Sequence, residues 1–438
     1  MDFESTNKEL IDFIDRSPNA FFAVANMSNI LEDAGYSELI EADEWKIEKG
    51  GKYFVKRNDS AIIAFQIPEN EINGFQIMAS HCDSPSFKVK SNAEICVDDK
   101  YVKLNIEKYG GMIMAPWFDR PLSVAGRVIV KTDDGIESRL VNIDRDLLMI
   151  PNLAIHMNRE VNDGYKFNAQ NDMPALFGDI DAKNSFMKLI AEAAGVSEED
   201  ILDTDLFLYN RMKGCTVGAN NEFISSGRLD DLQCAFASLK GFIASKADGA
   251  IPVHCVLDNE EVGSGTKQGA ASTFLSDCLK RAIYALGKNE DDFRRLLASS
   301  FMVSADNAHA VHPNHTDKAD PTNRPYMNGG IVIKYSANQK YTTDAVSGAI
   351  MREICNKAGV PCQTFTNRSD MLGGSTLGNI SNSQVALNTV DIGLAQLAMH
   401  SPYETAGAKD TAYLIEAAKV LFSGSIVSTG NGNYKLNF

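Results

Sequence analysis

Sulfur ligands, long apolar runs and positive charge are the scarce things in this chain. The eight cysteines (Cys82, Cys96, Cys215, Cys234, Cys255, Cys278, Cys355, Cys362) are scattered with no Cys-x-x-Cys pair. That spacing suits reduced core thiols and speaks against a disulfide frame or a thiolate zinc site. No apolar run approaches the ~20 residues of a membrane span, and Met1-Asp2-Phe3-Glu4-Ser5 lacks the layout of a secretory signal. The expected location is therefore the cytoplasm, with no membrane partner. Lys and Arg total 42 against 58 Asp and Glu, a net charge of −16. Such a surface repels phosphate, which excludes nucleic acid as the expected partner, although one basic pocket can still sit in an acidic protein. A Gly-rich stretch, Gly373-Gly374-Ser375-Thr376-Leu377-Gly378, lacks the Lys-Ser/Thr ending of a P-loop.

What is present belongs to a globular protein: 438 residues, 44% hydrophobic and 23% charged. That length predicts two domains. The most informative stretch is Ile251-Pro252-Val253-His254-Cys255-Val256-Leu257, which reads as a buried strand and stops in Asp258-Asn259-Glu260-Glu261. Neighbouring side chains at a strand end point in different directions, so one Glu can bind a metal while the other stays free as a base. Glu-Glu is commonly a solvated surface pair, and only its position after a buried strand argues otherwise.

Two further strands end in polar groups. One runs from Gly74 to Ser80 and meets His81-Cys82-Asp83, a spacing at which the Asp can accept the imidazole N–H and fix its tautomer. The other, Phe301-Met302-Val303-Ser304-Ala305, meets Asp306 and then His309, His312 and His315. Pro313 breaks any helix that would align those histidines, so Asp306 is the preferred candidate. Asp230 and Asp231 are expected in the first turn of an amphipathic helix, where the helix dipole alone would favour an Asp. Helices are also expected within residues 7–36, the second opening at Ser17-Pro18, and over about 269–287, 344–358 and 410–421. Strand pairing is expected around Arg57-Asn58-Asp59. Residues 93–224 read as short strands and long loops between stretches of α/β texture, which predicts an insertion. His156 lies within it and reads locally as structural.

In open α/β sheets ligands sit at strand C-terminal ends, where these candidates gather. Oxygen and nitrogen donors without sulfur suit Zn2+, Co2+ or Mn2+. Five ordered motifs now carry a resemblance: Ser80-His81-Cys82-Asp83-Ser84-Pro85, Ser226-Gly227-Arg228-Leu229-Asp230-Asp231, Asn259-Glu260-Glu261-Val262-Gly263-Ser264, Ser304-Ala305-Asp306-Asn307-Ala308-His309 and Gln396-Leu397-Ala398-Met399-His400-Ser401. Together they resemble the aspartyl aminopeptidases, the eighteenth metallopeptidase family, over nearly the whole chain.

The resemblance implies an α/β fold in which a catalytic domain with a mixed sheet flanked by helices, residues 1–92 and 225–438, is interrupted by a smaller β-rich dimerisation domain, residues 93–224. It implies two divalent metal ions, with Asp230 shared, His81 and Asp306 on one ion, and Glu261 and His400 on the other. Glu260 would be the general base and Asp83 would orient His81. His156 would reach the substrate from a neighbouring subunit of a dodecamer built from dimers, and Lys334 would favour an acidic first residue of the peptide substrate. The chain departs from the family pattern at Gly373, Asn379 and Ser336, near the expected substrate pocket. A neutral, Leu-type first residue therefore stays open, as does a related metal-dependent deacylase or carboxypeptidase.

Overall fold

Strands covered on both faces read as near-continuous apolar runs, and the centre of this molecule is built from three of them. Every residue of Phe75–His81, Ile251–Leu257 and Phe301–Ala305 is buried. In the computed structural model, which describes residues 1–430 and 432–438, these strands run parallel side by side. They lie within a nine-stranded mixed sheet ordered Ser37–Glu38, Lys52–Arg57, Ala61–Gln66, Ile251–Leu257, Phe75–His81, Phe301–Ala305, Asn388–Gly393, Ile331–Lys334, Cys362–Phe365.

Successive side chains of a strand face opposite ways, so the sheet feeds two cores. Met78, Val256, Phe301 and Val303 pack with residues of helices Phe3–Asp15, Leu229–Ile243, Ala345–Ala358 and Asp410–Ser423. Ile77, Ala79, Val253, Cys255 and Met302 pack on the other side with helices Phe274–Ala285 and Glu290–Ala298. Helix starts follow local chemistry. The second helix opens at Ala20 rather than at Ser17-Pro18, because Asn19 supplies the cap by accepting from Phe22 N–H at 3.4 Å. Asp344 caps Ala345–Ala358, which ends on left-handed Gly359.

A six-stranded antiparallel sheet is inserted after Pro85, ordered Gly135–Asn142, Leu122–Thr132, Ile201–Asn210, Ser86–Val97, Tyr101–Tyr109, Ala175–Asp179. Its strands are long, up to 12 residues in Ser86–Val97, where short strands were expected. The sheet has its own core, with Phe87, Leu104, Val128, Leu206 and Leu208 packed under helix Phe186–Ala194.

A third sheet, ordered Cys215–Val217, Phe223–Ser226, Glu404–Gly407, Ala395–Leu397, Ala308–His309, closes over the ends of the central strands. No helix among the described residues is long and apolar enough to cross a membrane. All eight cysteines are free, but Cys96 and Cys215 are exposed and Cys362 is half-buried, so the expectation of core thiols holds only for the other five.

Candidate metal centre

Each central strand delivers a polar group when its apolar run ends. His81 closes Phe75–His81, Asp306 follows Phe301–Ala305, and Glu260 and Glu261 sit on the short 3-10 turn after Ile251–Leu257. The third sheet brings the rest. Phe223–Ser226 leads into Asp230, and Ala395–Leu397 leads into His400, which takes a left-handed φ of 67°.

These donors form three overlapping groups: His81 with Asp230 and Asp306, Asp230 with Glu261 and His400, and His81 with Glu260 and Glu261. Within each, one ligand atom per residue lies within 4.8 Å of the others. Asp230 is common to two. Its Oδ1 is 3.4 Å from His81 Nε2, and its Oδ2 is 3.4 Å from His400 Nε2. Asp306 Oδ1 stands 3.9 Å from His81 Nε2, and Glu261 Oε2 stands 3.3 Å from His400 Nε2.

The expectation that Asp230 and Asp231 share a helical first turn is corrected here. Asp230 (φ −81°, ψ 108°) and Asp231 (φ −120°, ψ 22°) are both non-helical, so the chain turns between them and sends the side chains to different partners. Asp230 enters the cluster, while Asp231 Oδ2 accepts from His81 N–H at 3.2 Å. Asp83 does more than stand behind His81. Its Oδ1 is 3.4 Å from His81 Nδ1, but its two oxygens accept the backbone N–H groups of Glu260 and Glu261, both at 3.1 Å. Tyr109, from the inserted sheet, donates to the same carboxylate at 2.8 Å. Asp83 thus pins the Glu260–Glu261 turn to the strand end beside it.

Charge is crowded at this cluster. Burial pushes Glu260 up to about 7 and Asp306 up to about 6, and neighbouring carboxylates add to both. Burial would lower His81, yet Asp230 and Asp83 outweigh it and raise it. Opposing burial, His400 and His81 hold Asp230 well below the usual carboxylate range. Asp230 Oδ1 and Glu261 Oε1 are buried without a hydrogen-bond partner. Crowded carboxylates with orphaned oxygens, facing imidazoles and no thiolate, are a donor set that a divalent cation fits.

Other expected residues lie apart. Lys334 is buried, its Nζ donating to Asn307 O at 2.8 Å and standing 3.9 Å from Asp306 Oδ2. His156 is exposed on the loop after Pro151 and takes no part in the cluster of its own chain. His309 stacks edge-on near Phe365, while His312 and His315 lie with ring centroids 5.0 Å apart in the following loop. None of these three joins a metal-ligand group among the described residues.

Sequence reasoning missed Glu404. Fully buried, it accepts the N–H of Asp230 at 3.1 Å, the N–H of His400 at 2.9 Å and Gln396 Nε2 at 3.2 Å. It thereby holds the backbones of two cluster residues at once, and burial pushes it up to about 8. Nothing local marks it, because its partners lie up to 174 positions away.

Histidines and carboxylates gathered at the strand ends of an α/β sheet, with half-buried Glu260 among them, define a metal-dependent hydrolase. The comparisons place it further. The family described as "Aminopeptidase I zinc metalloprotease (M18)" matches residues 13–422. A probable M18 family aminopeptidase 2 from Clostridium acetobutylicum is 51% identical over 415 residues, covering 93% of this chain and 96% of that one. A chain in the cryo-EM structure of the Ape4 and Nbr1 complex superposes with a TM-score of 0.93 at 36% identity, over 96% of this chain and 86% of the other. The S. cerevisiae mApe1 dodecamer does so with a TM-score of 0.84 at 27% identity, over 96% of each chain. The chain belongs to the M18 family and is a metallo-aminopeptidase.

Proposed function

We propose that this aminopeptidase holds two divalent metal ions, Zn2+ first with Co2+ or Mn2+ as substitutes, and removes a first residue that is preferentially Asp or Glu. The observation that supports two ions is Asp230, which belongs to two donor groups and turns one oxygen to His81 and the other to His400. On this reading His81, Asp230 and Asp306 hold one ion, and Asp230, Glu261 and His400 the other. When bound, such ions supply Lewis acidity that makes water nucleophilic near neutral pH and polarises a carbonyl.

The chain's own residues do the rest. Glu260 takes the proton of the attacking water and gives it to the leaving amine. Asp83 holds Glu260 in reach through its N–H, and Glu404 keeps Asp230 and His400 in register. His156, exposed on its own subunit, reaches the substrate of a neighbouring one and donates to the developing oxyanion. This requires assembly, and the mApe1 dodecamer among the structural neighbours supports a homo-oligomer built from dimers. The inserted sheet is the proposed dimerisation domain, expected at residues 93–224. The strand pairing from Ser86 to Asn210 supports an insertion, with the catalytic domain on either side of it. Residence in the cytoplasm is part of the same proposal.

One observation favours a neutral first residue instead. Lys334 Nζ already serves Asn307 O and Asp306, which leaves less of its charge for a substrate carboxylate. Turnover of Asp-, Glu-, Leu- and Lys-aminoacyl substrates, with bound metal counted before and after chelation, tests the whole reading. Two ions per subunit and faster release of Asp and Glu are expected. One ion per subunit would overturn the shared Asp230, and faster release of Leu would overturn the acidic preference.

A further inference from the structure

A cavity of about 420 Å³ lies where the inserted sheet meets the central sheet, walled by the first turn of helix Ala20–Asp33, strand Ile201–Asn210 and the residues around Arg228. That volume suits a small organic molecule. Of the clustered metal-binding groups, Asp230 reaches its wall, joined by Asp83, whereas Glu260, Glu261, Asp306 and His400 do not. It is therefore not the pocket that Glu260 faces.

Its chemistry is dipolar. Lys88 and Arg127 line it, but both are spent on Asp205, at 2.8 and 3.0 Å. Arg228 is different. Its guanidinium donates Nη2 to Ile14 O at 3.1 Å, and its Nε is buried with no partner. A guanidinium is always charged and carries five N–H donors in a planar fork. An inward cation with unused donors calls for a carboxylate. The same cavity carries the carboxyl groups of Asp83 and Asp258, which call for a cation, and the rings of Phe21, Trp117 and Phe207, which call for an apolar body. A simple anion would be repelled by those carboxyl groups and a simple amine by Arg228.

We propose that this cavity is a second binding site for a free, zwitterionic α-amino acid with an apolar side chain. Its carboxylate is received by Arg228, its ammonium by the carboxyl groups of Asp83 and Asp258, and its side chain by the aromatic wall. This goes beyond the residue roles proposed above and does not depend on them. For an enzyme that releases amino acids, the occupant is of the product's own class. Asp83 and Asp230 belong to both places, so occupancy bears on the metal-binding groups through residues the two sites share.

The test uses fluorescence. The chain has two tryptophans, Trp117 in the cavity wall and Trp45, which donates to Ile40 O elsewhere. In the full-length Trp45→Phe protein, L-phenylalanine is expected to change the Trp117 emission saturably. N-acetyl-phenylalanine, lacking the ammonium, and phenethylamine, lacking the carboxylate, should each bind about tenfold more weakly or worse. The response should survive chelation of the metals and be lost in Arg228→Gln. No saturable response up to about 20 mM, equal responses to all three probes, or loss of the response on chelation would each overturn the proposal. Should Arg228→Gln fail to fold by circular dichroism, the three probes and the chelation arm decide alone.

Discussion

The central sheet and the inserted sheet solve different problems with the same residue types. Strands Phe75–His81, Ile251–Leu257 and Phe301–Ala305 are buried at every position and hold no Asp, Glu, Lys or Arg, so the carboxylates come only where the strands end, and there the candidate metal centre lies. The inserted strands alternate, as in Tyr101–Tyr109, where Val102, Leu104 and Ile106 are buried and their neighbours are not. Polar residues can then occur anywhere along them, and polarity there marks a surface rather than a site. The inserted sheet still touches the chemistry at its near end. Tyr109 donates to Asp83, His400 Nδ1 bonds to Gly111 O, and Ile113 N–H donates to His400 O at 3.1 Å. The contrast shows that one unit supplies donor groups and the other braces them.

The largest effect that would sharpen this contrast is expected at Glu260. Glu260→Gln should retain the bound metal and lose about 10²- to 10⁴-fold in kcat, measured by steady-state kinetics with metal analysis. Near-normal turnover would remove Glu260 from the mechanism. Next come two core truncations, one in each sheet. Leu206 and Ile392 are both fully buried, and each change to Ala should cost about 2–5 kcal/mol in denaturant unfolding. Ile392 O accepts from Asp306 N–H at 3.1 Å, so Ile392→Ala should also weaken metal retention while Leu206→Ala should not. Equal metal loss in both would break the division between donor and brace.

Glu404→Ala should reduce metal affinity by about 10- to 100-fold, read by competition with a chelating dye, because the backbones of Asp230 and His400 lose their shared acceptor. His254 gives a pH-dependent test inside the central sheet, away from the metal groups. Burial lowers its imidazole to about 3, well under the ordinary value of 6.5. The unfolded chain therefore binds a proton that the folded one refuses, and the penalty is absent above pH 6.5 and grows as pH falls towards 3. By pH 5 it should reach about 2 kcal/mol, and His254→Gln should remove that much of the acid sensitivity relative to the parent protein.

The smallest effect separates the two ends of the inserted sheet. Gly110 has φ +76°, and a Cβ there would sit 3.1 Å from Glu261 Cβ, whereas Gly135 (φ +154°), at the far hairpin, has nothing within 4 Å. Each change to Ala should cost about 1 kcal/mol of stability, but only Gly110→Ala should slow turnover. Equal activity in the two would show that the near end does not brace Glu261.

Much of the scaffold was legible because burial leaves a one-dimensional trace. The apolar runs ending at His81, Asp258 and Ala305, the turn at Arg57-Asn58-Asp59 and the helix ending at Gly359 follow from period and capping alone. Other features left no trace. Asp230 and Asp231 look alike as a first-turn pair and differ only because the backbone turns between them. Asp83 could be read as a partner of His81, but its grip on the Glu260 and Glu261 N–H groups spans 177 and 178 positions. The family likeness supplied His400 as a candidate, since one histidine near the end of a chain carries no spacing signal.

By itself the sequence determined where strands are buried, where they stop, which side chains at those ends are candidates for the chemistry, and that sulfur is not among the expected donors. Those are properties of neighbours along a chain, set by the two- and 3.6-residue periods of its elements. Only the tertiary structure decided that Asp230 lies between two imidazoles, that Glu404 ties two distant backbones together, and that Arg228 lines a cavity with no carboxylate in salt-bridge contact among the described residues. Each depends on how three sheets are set against one another, and hydrogen-bond distances of about 3 Å between residues a hundred or more positions apart leave no mark in the order of the residues.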